Sequence, residues 1–285
     1  MSAKLDTVTS KHGTRIEYEL SGGGAPLVLV AGALGTKGSA WQRRFTAEFA
    51  KRFRVFSYDR RGRGGSGDTK PHAIEREIED LEAVCAAAGG PPIVVGLSSG
   101  AALVLEAAAH GVPMGGAVAF EPPYMVGGHH RPNHARYESD VTALVDRDDR
   151  DGAVRLFMRT VGVPAFVLPI MRILPMWKEL RRVAHTLPYD AAIMRGFDLP
   201  ASRLGGIRAP TLVVGGAKSP ASLKDAARAV AESVPGARFA ELPKQSHNVS
   251  ASALAPVVRE LASEVRAAPV HAPSALGLQP SGAPV

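Results

Sequence analysis

Ile93-Val94-Val95-Gly96-Leu97-Ser98-Ser99-Gly100 is the stretch whose reading decides the fold. Ile93-Val94-Val95 follows the breakers Gly89-Gly90-Pro91-Pro92 and is a short, wholly apolar run, as expected of a buried strand. From Ser99 to Ala109 the chain is rich in small apolar residues and reads as a helix. A strand that becomes a helix around Gly-x-Ser-x-Gly is the pattern of a nucleophile elbow. The turn is tight and the serine adopts a strained backbone, so glycine is needed on both sides. Such a turn sets the Ser98 hydroxyl at the carboxyl edge of a sheet. The N-terminus of the following helix lies beneath it, where a developing oxyanion is favoured.

The same stretch lies in the longest uncharged run, Ala83 to Leu105, which on length alone could span a bilayer. Two glycine-rich interruptions would break a membrane helix there, so a strand and a helix joined by a turn explain it better. The N-terminal Met1-Ser2-Ala3-Lys4-Leu5-Asp6 has no apolar stretch behind its charge. We therefore expect a cytoplasmic chain with no membrane partner.

Working outward, strands and helices alternate. Thr14 to Leu20 alternates polar and apolar residues, and Pro26-Leu27-Val28-Leu29-Val30 is a continuous apolar run. Ala40 to Arg52 reads as a helix and Phe53 to Tyr58 as a strand. Ile74, Ile78, Leu81 and Cys85 then recur at helical spacing. Gly116 to Phe120 is a further strand, and prolines interrupt helical pieces from Pro122 to Ala201. The alternation resumes with strand Pro210 to Val214, a helix over 222–233, strand Ala237 to Leu242 and a helix over 251–266. This predicts an α/β fold with a doubly wound, mostly parallel sheet. Residues 1–121 and 202–267 form the core, 122–201 an inserted helical cap, and 268–285 a disordered tail.

Composition narrows the function. Of 285 residues, 45% are hydrophobic, enough for a large core, and aromatic residues make up only 6%. Thirty-four Lys and Arg against 27 Asp and Glu give a net charge of +7. The arginines are scattered apart from pairs and the triplet Arg60, Arg61 and Arg63, so we read the charge as a solvated surface, with no nucleic-acid partner. The single cysteine, Cys85, allows no intramolecular disulfide and no multi-cysteine zinc site, and its place in a helical stripe makes it a core residue. His129, His130 and His134 could suggest a metal, but Pro132 would interrupt a helix there and no carboxylate is evident nearby, so they read as a loop cluster. Gly62-Arg63-Gly64-Gly65-Ser66-Gly67 fits a dinucleotide fingerprint in letters only. No helix follows at once, and no strand ends in an acid about 20 residues on. No cofactor is expected.

With these pieces in place the chain resembles the α/β-hydrolase superfamily over nearly its whole ordered length. Tyr58-Asp59-Arg60-Arg61-Gly62-Arg63-Gly64-Gly65-Ser66 resembles that family's loop after the fourth strand. Pro210 to Gly216 resembles the strand before its acid turn, and Leu242-Pro243-Lys244-Gln245-Ser246-His247 the loop carrying its histidine. The likeness is greatest to capped, cofactor-free esterase-like and enol-lactonase-like members. It implies a Ser98 nucleophile and a His247 general base in the order Ser, acid, His. One oxyanion donor is the Ser99 amide by the logic of the elbow. The other is the Ala33 amide by the resemblance, because Ala31-Gly32 stands where relatives carry His-Gly.

The acid departs from the pattern. The usual position holds Ser219, which carries no charge. Glu121, just beyond the strand ending at Phe120, is the carboxylate that could reach the histidine from the neighbouring strand end. The expected function is a serine hydrolase cutting an ester or lactone of a small-molecule partner through a Ser98 acyl-enzyme. The apolar run from Val161 to Trp177 suggests that the substrate is largely apolar. Two alternatives stay open: a lyase, cyclase or cofactor-free oxygenase using His247 for proton transfer, and a non-catalytic ligand-binding module. Oligomeric state is open.

Overall fold

The computed structural model describes residues 4–129 and 132–267. The tail expected over 268–285, and His130, lie outside the described residues. The N-terminal part runs β1 (Lys4–Thr9), β2 (Arg15–Gly22), β3 (Ala25–Val30), α1 (Ala40–Phe49), β4 (Phe53–Tyr58), α2 (Ile74–Ala87), β5 (Ile93–Leu97), α3 (Ser99–Ala109) and β6 (Gly116–Phe120). Short helices follow: α4 (Pro132–Asp146), α5 (Arg150–Thr160), α6 (Leu168–Arg172), α7 (Pro175–Arg182), α8 (Leu187–Met194) and α9 (Ala201–Leu204). The chain then returns to the sheet with β7 (Thr211–Gly216), α10 (Ala221–Ser233), β8 (Arg238–Leu242) and α11 (Ala251–Ala267).

One eight-stranded sheet has the order β1-β2-β4-β3-β5-β6-β7-β8. β1 pairs with β2, and β2 with β4, antiparallel; every other pair is parallel. The doubly wound α/β class expected from the alternation is therefore the one observed. Side chains of successive residues point to opposite faces, which explains the unbroken apolar runs. Val28, Val30 and Val94 pack with α2, α3 and α10 on one face. Leu27, Leu29, Val95 and Leu97 pack with α1 and α11 on the other. The strand order reverses across β4-β3-β5, and in open α/β sheets ligands bind beyond the carboxyl ends at such a switch point. Ser98 stands at the carboxyl end of β5.

The helices between β6 and β7 have a cluster of their own, with Tyr137, Val141, Val154, Leu187 and Phe197. Leu34 belongs to that cluster and comes from the loop after β3, so the insert is packed against that loop.

Three expectations are corrected. Arg60, Arg61 and Arg63 are each only 1% exposed, so this part of the positive charge is not a solvated surface. Paired carboxylates make that burial tolerable. Pro132 opens helix α4 and does not interrupt one, because proline at a first helical position gives up an amide that has no partner there anyway. Over Val161–Trp177, Leu168 and Trp177 are buried, but Val161, Phe166, Ile170, Ile173, Leu174 and Met176 are exposed. Most of that run faces outward and gives no support to an apolar substrate.

Among the described residues no helix is long and apolar enough to cross a membrane. The uncharged run from Ala83 is divided among α2, β5 and α3.

Candidate active site

β5 ends in Leu97 and α3 begins at Ser99, leaving Ser98 alone to make the turn with φ 56° and ψ −124°. A left-handed backbone at a residue with a side chain is strained and persists only where surrounding contacts enforce it. Those contacts are present. The Ser98 amide donates to Phe120 O at 2.9 Å, and Ser98 O accepts from the Ala101 amide at 2.8 Å. Gly100 makes the turn possible, since a Cβ there would lie 2.6 Å from both Val30 O and Ala31 O.

β6 ends beside it. Glu121 follows Phe120 with φ 44°, and its amide donates to Val214 O on β7 at 3.0 Å. Its carboxylate is wholly buried. Oε1 accepts from the Gly216 amide at 2.7 Å, while Oε2 lies 2.7 Å from His247 Nδ1. His247 comes from the loop after β8, with its side chain 37% exposed and Nε2 3.2 Å from Ser98 Oγ. With its Nδ1 proton given to Glu121, the imidazole presents Nε2 as an acceptor for the Ser98 hydroxyl. Ser98, His247 and Glu121, taken from the ends of β5, β8 and β6, form one line of hydrogen bonds.

The turn after β7 holds Ser219, whose buried Oγ has no hydrogen-bond partner among the described residues. The carboxylate thus enters from β6, one strand nearer to Ser98 than the usual turn.

The loop after β3 lies against the serine. A Cβ on Gly32 would sit 2.8 Å from Leu97 O and 3.2 Å from Ser98 Cβ, so only glycine allows this approach. Among the described residues, neither the Ala33 nor the Ser99 amide takes part in the turn and loop hydrogen bonds.

Sequence reasoning missed a buried ionic network beneath these groups. Arg60 makes a two-point pair with Glu77 at 2.7 Å for both bonds and reaches Asp190 Oδ1 at 2.7 Å. Arg63 donates to Asp190 Oδ2 at 2.6 Å, Thr186 Oγ1 at 3.0 Å and Gly32 O at 2.7 Å. Ser99 Oγ donates to Asp190 Oδ1 at 2.8 Å. Arg61 turns the other way, pairing with Asp80 at 2.7 and 2.8 Å. Burial alone would raise the Glu77 carboxyl, but Arg60, with His72 adding a hydrogen bond, outweighs it and holds the group well below the usual carboxylate range. One signal was available: three arginines directly after a core strand stand at the sheet edge, where inserted segments can cover them.

The glycine loop is closed on itself, with the Gly62 amide donating to Gly67 O at 2.9 Å. The Gly65 amide, of the kind a phosphate would use, is given to Asp59 at 3.0 Å. Among the described residues no group of three or more His, Cys, Asp or Glu could hold a metal ion. His129 instead pairs with Asp225 at 2.8 Å, and His134 is buried against Phe197 with ring centroids 4.9 Å apart.

Comparisons with known proteins bear on the family and the fold. A model of the alpha/beta hydrolase family matches residues 27–278. An alpha/beta hydrolase of known structure from Sphaerobacter thermophilus is 46% identical, covers 90% of this chain and 99% of its own, and superposes with a TM-score of 0.83. The enol-lactonase from Burkholderia xenovorans is 25% identical, with 90% and 100% coverage and a TM-score of 0.62. RutD of Azorhizobium caulinodans, a candidate carbamate hydrolase, is 28% identical over 82% of this chain and 88% of that protein.

Proposed function

The chain belongs to the alpha/beta hydrolase family, and we propose that within it this protein is a serine hydrolase cleaving an ester or lactone through an acyl-enzyme on Ser98. The observation that carries the reading is the unbroken line from Glu121 through His247 to Ser98, with contacts of 2.7 and 3.2 Å. As Ser98 Oγ attacks the acyl carbon, its proton passes to His247 Nε2, and the buried Glu121 carboxylate stabilises the imidazolium that forms. The carbonyl oxygen becomes an oxyanion beside the N-terminus of α3, with the Ala33 and Ser99 amides as donors. Collapse expels the alcohol, which takes the proton from His247. Water then enters by the same route in reverse and frees the acid.

A lactone and a carbamate, the compounds for which two relatives are named, share the acyl carbon that this chemistry needs. Steady-state turnover of p-nitrophenyl butyrate by wild type and by Ser98→Ala tests the proposal. Loss of more than about 10³-fold supports nucleophilic catalysis. Retained turnover refutes it and favours proton transfer at His247.

A further inference from the structure

The two donors assigned to the oxyanion hole are main-chain amides, and a main-chain amide acts only if its peptide plane is held. We propose that Arg63 and Asp190 are positioning residues for this pair, Arg63 holding the Gly32–Ala33 peptide plane and Asp190 anchoring both Arg63 and the first residue of α3, an inference that rests on the Ser98 acyl-enzyme reading. Arg63 Nη1 donates to Gly32 O at 2.7 Å. In a trans peptide the C=O and the following N–H point in opposite directions. Gly32 O also accepts from the Gly35 amide at 3.1 Å, and the shorter bond to Arg63 adds to it, turning the Ala33 N–H away from the guanidinium and opposing a flip of the Gly32–Ala33 peptide. Arg60 Nη1 approaches the preceding carbonyl, Ala31 O, at 3.4 Å, so two successive carbonyls of this loop face guanidinium groups.

The second donor is tied to the same carboxylate. Asp190 Oδ2 accepts from Arg63 and Oδ1 accepts from the Ser99 hydroxyl at 2.8 Å. Ser99 is the first residue of α3, so this bond anchors the side chain of the residue assigned as the second donor. One carboxylate on α8, at the insert, thus holds a branch to each donor. Arg63, Asp190 and Ser99 are all at most 1% exposed, so water does not loosen the arrangement.

Arg61 supplies an internal control. It is equally buried in the same loop, but its bonds among the described residues go to Asp80 and to the carbonyls of Thr69 and Arg76, away from Gly32, Ser99 and Asp190. A lysine at either position keeps the charge but loses the planar fork that reaches several acceptors at once.

The test compares Arg63→Lys, Ser99→Ala and Arg61→Lys with wild type in the full chain. The readouts are kcat and KM for p-nitrophenyl butyrate, the rate at which a fluorophosphonate labels Ser98, and thermal stability. Removing a hole donor outright costs about 10²–10³ in kcat. Arg63→Lys and Ser99→Ala should therefore lower kcat by at least about tenfold with KM kept within about twofold. Labelling should slow by the same factor, because the phosphonyl oxygen uses the same amides. Arg61→Lys should lower thermal stability but keep kcat. If Arg63→Lys does not fold, Ser99→Ala decides alone, since it removes a single hydroxyl. A fall of less than about fivefold in kcat, or an equal fall in Arg61→Lys, overturns the proposal while leaving the acyl-enzyme intact. If wild-type Ser98 is not labelled at all, the acyl-enzyme reading fails and the proposal falls with it.

Discussion

Glu121→Gln changes one oxygen for an amide nitrogen at a wholly buried position. The Gly216 amide needs an acceptor, so the glutamine carbonyl stays on that side and its NH₂ faces His247 Nδ1. Nδ1 must then accept, the ring proton moves to Nε2, and the imidazole can no longer receive the Ser98 proton. The imidazolium formed during attack also loses its counter-charge. With Nδ1 and Oε2 2.7 Å apart, the two charge centres are about 4 Å apart, and an effective dielectric of about 20 gives an attraction of about 4 kcal/mol. That is about 10³ in rate, and the wrong tautomer moves the loss toward the roughly 10⁴ known for amidating the acid of such a triad. The assay is kcat/KM for p-nitrophenyl butyrate, with circular dichroism and thermal melting to show that the variant is folded. A folded Glu121→Gln enzyme within tenfold of wild type would refute the assignment. Ser219→Ala, which removes a hydroxyl that has no partner among the described residues, should stay within about twofold.

Three further outcomes follow from other parts of the structure. Gly32→Ala places a methyl against Leu97 O and Ser98 Cβ; it should lower stability to urea by about 1–3 kcal/mol and reduce kcat. Burial, with Glu82 nearby, pushes the Cys85 thiol up to about 12, so at pH 8 a thiol reagent should find no reactive cysteine in native protein and one after denaturation. Glu77→Gln leaves Arg60 buried and incompletely paired, which should cost about 3–5 kcal/mol near neutral pH. Glu77 has a lowered folded pKa, so its contribution is fully present above the unfolded value of 4.5 and fades as pH falls through the folded value. The gap between wild type and variant in denaturant melts should stay constant above about pH 6 and shrink in acid.

Local chemistry made much of this legible in the sequence. The glycines around Ser98 announced a tight turn because no side chain fits there, and the apolar runs of β3 and β5 announced strands covered on both faces. Glu121 was legible by position: once Ser219 stood in the usual acid turn, the end of β6 was the adjacent place from which a carboxylate could reach. The burial of Arg60 and Arg63 was not legible, because it depends on Asp190, about 130 residues away on α8. Charge in a sequence does not reveal which carboxylate will cover it. The exposed face of Val161–Met176 was hidden for the opposite reason, since apolar composition does not say which side of a short helix meets solvent.

The proposed nucleophile is Ser98, set at the carboxyl edge of the sheet with His247 and Glu121 hydrogen-bonded in line behind it. The most direct test of this role is peptide mapping by mass spectrometry after incubation of folded protein with a fluorophosphonate. Folded protein should carry a single adduct on the peptide with Ser98, lost in Ser98→Ala and formed far more slowly in Glu121→Gln. An adduct on another residue, or none in folded wild-type protein that hydrolyses p-nitrophenyl butyrate, would contradict the assignment.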